Sequence, residues 1–167
     1  MAISVQTHDE APLTLVVYSG HVTKADFQTF EAFFRRPDVF PLENAGILLI
    51  EKGTDFSGLA FKDVLHQAKA LEKINLQHEA NGNPPPDFVP LVITALTQRL
   101  LARLWGAATE LAPKIKPTYP VCRTMKEAAN MLSLPAAIID DLENRRHFTP
   151  LKEPVAKPKA EVGLKAS

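Results

Sequence analysis

Read for chemistry, the chain offers short constellations and no complete catalytic motif. The first is Asp55-Phe56-Ser57-Gly58, which follows an apolar run and precedes a helical pattern. Ligands and partners tend to meet open α/β sheets at the carboxyl ends of parallel strands, and this segment leaves an apolar run, so it is a candidate interaction loop. In the plainer reading, Ser57 and Gly58 only turn the chain, with Gly58 permitting a sharp backbone path. Asp55 then caps the next helix or accepts hydrogen bonds from the loop. Casting Ser57 as nucleophile and His66 as base needs an orienting group and an oxyanion hole, and no G-x-S-x-G elbow is present. Arg99 and Arg103 stand four apart, on one side of a predicted helix. They are candidates for holding an anion or a partner's carboxylate, against the simpler reading of a solvated flank.

The other reactive side chains exclude more than they suggest. Among the five histidines, His8, His21, His66, His78 and His147, no pair has the i, i+4 spacing of a helical metal site. Cys122 is the single cysteine, which rules out an internal disulfide and a cysteine-based zinc site. Arg123 beside it could lower the thiol pKa, but a buried, inert thiol is the expectation. Neither G-x-x-x-x-G-K-[ST] nor G-x-G-x-x-G occurs, so nucleotide binding through those loops has no support. No catalytic residue, metal or cofactor is therefore assigned. Nineteen basic residues balance nineteen acidic ones, which argues against a nucleic-acid or membrane-surface binder. With no long apolar run and no basic-then-apolar start, the expectation is a soluble, cytoplasmic protein.

The elements that must position these residues follow from periodicity. ISVQT at 3–7 and LTLVVYS at 13–19 flank HDEAP and read as an opening β-hairpin. Thr23 and Asp26 start a helix whose face carries Phe27, Phe30 and Phe34. GILLI at 46–50 is uncharged throughout, as a strand covered on both faces would be, and is the predicted central strand. A helix carrying Phe61, Val64, Leu65, Ala68 and Leu71 follows the Asp55–Gly58 segment. Pro84, Pro85 and Pro86 mark a loop before a strand at 91–94. The next helix aligns Leu96, Leu100, Leu104, Ala108 and Leu111, widened by Leu101 and Trp105. TYPVC at 118–122 is placed at a sheet edge, because Pro117 and Pro120 cannot donate to a ladder. Thr124 and Glu127 start a helix, and another follows Pro135. Arg35-Arg36 and Arg145-Arg146 suit helix ends. The expectation is an α/β fold: a mixed, mostly parallel sheet of about five strands with four or five helices. The domain spans 1–148, and 149–167 forms a flexible tail rich in Pro, Lys and Ala.

The hairpin with its YSGHVT turn, the apolar strand entering TDFSGL, and RLLARLW ahead of CRTMKEAANML together resemble the STAS-like group, over roughly residues 3–134. That group shares the fold of bacterial anti-sigma-factor antagonists. The resemblance is nearer to small uncharacterised bacterial members, which imply a fold and no established activity. In the antagonists, a serine just before a glycine at the strand-to-helix loop is the phosphorylated switch. The resemblance places Ser57 there, with Phe56 where the pattern has a first serine and with a strand-to-motif spacing about three residues shorter.

Three readings of function follow. The first is a non-enzymatic protein-interaction or regulatory module with an unidentified protein partner. The second is a small apolar-ligand or lipid-binding domain, resting on aromatic content and helix–sheet crevices. The third, an enzyme, rests only on Ser57 and His66. A weak homodimer through the Leu101/Trp105 flank is also expected, since exposed tryptophans are enriched at interfaces. A survey of cavities separates the readings: a filled core favours the first, an apolar void on the order of a few hundred Å³ the second, and a crevice with clustered titratable groups the third.

Overall fold

LTLVVY and AGILLI are uncharged and rich in branched side chains, so each can be buried on both faces. The computed structural model describes residues 2–95, 103, 105–107 and 116–152. In it these runs are β2 (Leu13–Tyr18) and β3 (Ala45–Ile50), paired in parallel with Leu15 opposite Ile47. β1 (Ile3–His8) runs antiparallel to β2 and completes the opening hairpin. β4 (Leu91–Ile93) and β5 (Val121–Cys122) extend the parallel side. β6 (Phe148–Pro150) lies antiparallel along β1. The sheet has six strands in the order β5-β4-β3-β2-β1-β6, so β3 is interior and β5 is an edge, as predicted.

Caps set the helix starts. α1 (Lys24–Phe34) opens on a reciprocal box: Thr23 Oγ1 accepts from the Asp26 N–H, and the Asp26 carboxylate accepts from the Thr23 N–H at 2.8 Å. α2 (Phe61–Ala80) opens with Asp63 accepting from the Ala60 N–H at 2.8 Å. α3 (Met125–Met131) has Thr124 as its cap, while Glu127 reaches back to the Arg123 N–H at 2.9 Å. α4 (Ala136–Asn144) ends at Arg145, whose φ of 53° closes the helix in the left-handed region. Arg103 and residues 105–107 are helical. Arg99, Leu100, Leu101 and Leu104 lie outside the described residues.

Helices cover both faces of the sheet. Leu13, Leu15, Val17, Ile47 and Leu49 meet Ala128 and Ala129 of α3 and Leu142 of α4 on one face. On the other, Val16 and Leu48 meet Phe27, Phe30 and Phe33 of α1 and Leu71 and Ile74 of α2. Among the described residues no helix is long and apolar enough to cross a membrane.

Several expectations need correction. Phe33, not Phe34, is the deeply buried third aromatic of α1. Phe61 is exposed and Leu65 half-buried, because the inward stripe of α2 includes the polar Gln67, Asn75 and His78 and is rotated from the one that apolar counting selects. Within 118–122 only Val121 and Cys122 pair as a strand with β4; Thr118 makes a single bridge to Phe88, and the intervening Pro120 has no N–H to continue the ladder. His8 belongs to β1 and is buried, not part of the hairpin turn. The expected tail boundary also moves, since Thr149 and Pro150 lie in β6 and the Leu151 N–H donates to the Val5 carbonyl at 2.8 Å. An edge strand tolerates Pro150 where a central one would not. Residues 153–167 lie outside the described residues.

Candidate functional site

Because β2 and β3 are parallel, the segments leaving their carboxyl ends run side by side. The Asp55 N–H donates to the Gly20 carbonyl, and the Val22 N–H to the Asp55 carbonyl, both at 2.8 Å. Gly20 (φ +66°) and Gly53 (φ +85°) supply the left-handed turns that bring the segments together. This frame aims the Asp55 side chain at two groups. Its Oδ1 accepts from the Ser57 N–H at 2.8 Å, and its Oδ2 lies 2.8 Å from Nδ1 of His21. The hydrogen bonds from Ser57, with that from His21, hold the Asp55 carboxyl down to about 2.

Of the alternatives posed for Asp55, the structure selects the loop acceptor, since the cap of α2 is Asp63. Ser57 is exposed at the rim. Gly58 has a different role from the one expected: a Cβ there would stand 3.2 Å from Cε1 and Nε2 of His21, so the glycine makes room for the imidazole. His21 is the group that sequence reasoning missed. Thirty-four positions separate it from Asp55, and only the parallel pairing of β2 and β3 makes them neighbours.

The other predicted residues are scattered. His66 is exposed on α2 and lines a surface groove with Lys24 and Asp63; the imidazole beside the 55–58 loop belongs to His21. Arg103 is exposed. Cys122 is buried, and burial, with Glu127 nearby, pushes its thiol pKa up, the setting of an unreactive thiol. Trp105, expected on an open flank, has its indole nitrogen buried.

His8, Asp141 and His147 form a cluster whose donor atoms lie within 4.8 Å of one another. Nδ1 of His8 accepts the N–H groups of Glu10 and Ala11 at 3.1 and 3.0 Å. Its proton must therefore sit on Nε2, which donates to Asp141 at 2.9 Å. A metal at Nε2 would need that proton on Nδ1, against two N–H donors. The cluster is a clamp that ties α4 to the end of β1. The bonds from His8 and then His147 hold the Asp141 carboxyl below the usual carboxylate range.

A second feature lies under α1 and α2. An apolar cavity of about 100 Å³ sits on the face formed by Val16, Tyr18, Gly46 and Leu48, with the Pro84–Pro86 loop in its wall. Phe30 and Phe34 stack with centroids 6.0 Å apart, and Phe34 meets Phe40 edge to face at 5.3 Å, so rigid rings frame the space. An adjoining lobe of about 50 Å³ shares Tyr18, Leu48 and Trp105. Among the described residues no Asp, Glu, Lys or Arg lines either space. The volume is smaller than the few hundred Å³, roughly, of a drug-sized ligand site but exceeds several-fold what one water needs, and such a wall suits a small uncharged apolar guest.

Compared with family models, with curated proteins and with solved structures, the chain matches none.

Proposed function

We propose that the chain is a non-enzymatic interaction or regulatory module of STAS-like type, contacting a protein partner through the Asp55–Gly58 loop. The observation that carries this reading is the fastening of Asp55 to both His21 and Ser57, which leaves Ser57 exposed on a braced loop at the carboxyl ends of parallel strands. Partners tend to meet open α/β sheets at that end. A phosphate on Ser57 would bring negative charge beside His21 and Asp55 and change what the rim attracts.

The test is intact-mass analysis of protein isolated from its own cells, followed by affinity capture with Ser57→Ala and Ser57→Asp. The reading expects a phosphorylated fraction that Ser57→Ala lacks, and a captured partner whose retention changes with Ser57→Asp at unchanged melting temperature. A carboxylate mimics phosphate imperfectly, so the phosphorylated wild type is the decisive sample. Identical retention of modified and unmodified protein would sink the reading.

Acid titration checks the brace itself. The carboxyl of Asp55 is depressed from its ordinary value near 4 to about 2. Its bonds are therefore fully present above the ordinary carboxylate range and are lost as pH falls through the folded value. Carboxyl-carbon NMR should place the Asp55 midpoint at about 2; an ordinary midpoint would mean that the loop is not braced in solution.

The cavity supports a second reading, a domain that holds a small apolar ligand. Native mass spectrometry of gently purified protein should then show a bound small molecule that is lost on denaturation.

A further inference from the structure

Tyr18, Trp105 and Tyr119 gather at one end of the cavity. The rings of Trp105 and Tyr119 pack edge to face with centroids 5.6 Å apart, and Tyr18 and Tyr119 are close enough to interact electrostatically. Trp105 and Tyr18 line both lobes. The indole nitrogen of Trp105 is buried with no hydrogen-bond partner. Tyr18 and Tyr119 are half-buried there, each with a phenol hydroxyl able to donate.

Asn44, Asn75 and His78 of the wall point N–H donors at protein. Nδ2 of Asn44 donates to Thr14 Oγ1 at 3.1 Å, and Nδ2 of Asn75 to the Lys116 carbonyl at 3.3 Å. Nε2 of His78 faces the Phe34 carbonyl at 2.6 Å and must carry a proton. Among the described wall residues the buried donor without a partner is therefore the Trp105 indole N–H. An indole N–H can only donate. Burial raises the pKa of both phenols, so both retain protons to donate. A buried donor left unpaired is costly, and it is satisfied by an acceptor that a guest brings.

We infer that the cavity is a binding site for an uncharged apolar molecule bearing a hydrogen-bond acceptor, such as a carbonyl oxygen, seated at the Trp105 end. This rests on the second reading above and narrows its ligand class. A carboxylate is disfavoured, because no cationic side chain among the described residues lines the space to offset burial of its charge.

Cumene, acetophenone and benzoate have the same number of non-hydrogen atoms and differ in the group on the ring: no acceptor, a neutral acceptor, and an anion. Trp105 is the only tryptophan, so its emission and its single indole N–H resonance report from the site. Cumene and acetophenone should both bind saturably, with acetophenone alone moving the indole N–H downfield. Tyr18→Phe or Tyr119→Phe should weaken acetophenone about five- to tenfold and leave cumene within about twofold, the loss of one neutral hydrogen bond. Benzoate should bind at least about tenfold more weakly than acetophenone.

Failure of both cumene and acetophenone to bind would overturn the apolar-ligand reading and this inference together. Binding of both, with no indole shift and no response to either substitution, would leave that reading standing and overturn the acceptor class. Tightest binding by benzoate would overturn the uncharged class. The indole shift is read on the wild-type protein, so a variant that fails to fold does not remove the test.

Discussion

Strands β2 and β3 serve two cores of unlike quality. Leu13, Leu15, Val17, Ile47 and Leu49 point to one side, and Thr14, Val16, Tyr18, Gly46 and Leu48 to the other. On the first side the helices bring Ala128, Ala129 and Leu142, all fully buried, with Met125, Leu132, Ile138 and Ile139 packed around them, and the two cavities described above lie under the helices of the other side. On the second side the helices bring phenylalanine rings and the sheet brings Gly46 and Thr14. Phe30 and Phe34 stack along α1 and, with Phe40, form rigid walls, while Thr14 and Gly46 fill little of the space they line. Apolar bulk and close packing are thus separate properties: the aromatic-rich face encloses the cavity.

The largest expected effect tests this contrast directly. Leu15→Ala removes a side chain with no exposed surface from the filled face and should cost about 3–5 kcal/mol in urea unfolding. Leu48→Ala removes one that already borders empty space and should cost about 2 kcal/mol or less, since fewer contacts are lost. Equal costs would break the comparison. A smaller change is expected at Gln67, whose amide nitrogen and oxygen are both buried without partners. Gln67→Met keeps the length and removes the unpaired groups, so stability should rise by about 1 kcal/mol. That corresponds to about 2–4 °C in melting temperature, and a decrease would show that the amide is satisfied in solution. The smallest change is Gly46→Ala. A Cβ there would meet Cγ1 of Val89 at 3.6 Å, an ordinary contact, and would project into the hollow side. It should add about 0.5–1 kcal/mol and weaken acetophenone binding; a destabilised variant would mean that the hollow has already closed around the glycine.

Much of the sheet was legible from sequence because its signals are local. The uncharged run at 46–50 announces an interior strand, and Thr23 with Asp26 announces a helix start. What escaped depends on distant partners. β6 has only three residues, and no periodicity marks Phe148–Pro150 until β1 lies beside it. The Asp55–Ser57 bond is a two-residue relation visible in the sequence, whereas His21 reaches the same carboxylate through tertiary pairing. The cavity was beyond reach for a further reason. Whether Phe30 and Phe34 fill a space or frame it depends on helix–sheet distance, which composition does not encode.

The pairing of β6 with β1 also has a consequence in time. Phe148 sits opposite His8, so one side of the hairpin acquires its last neighbour only after nearly the whole chain up to that point has been made. At about 5–20 residues per second of synthesis, the β1 edge stays bare for roughly seven to thirty seconds. An unpaired strand edge is a template for pairing with any other extended chain. The nascent domain therefore passes through an interval in which a neighbouring copy on the same message can compete for β1, and arrival of β6 ends that competition by occupying the edge within the molecule.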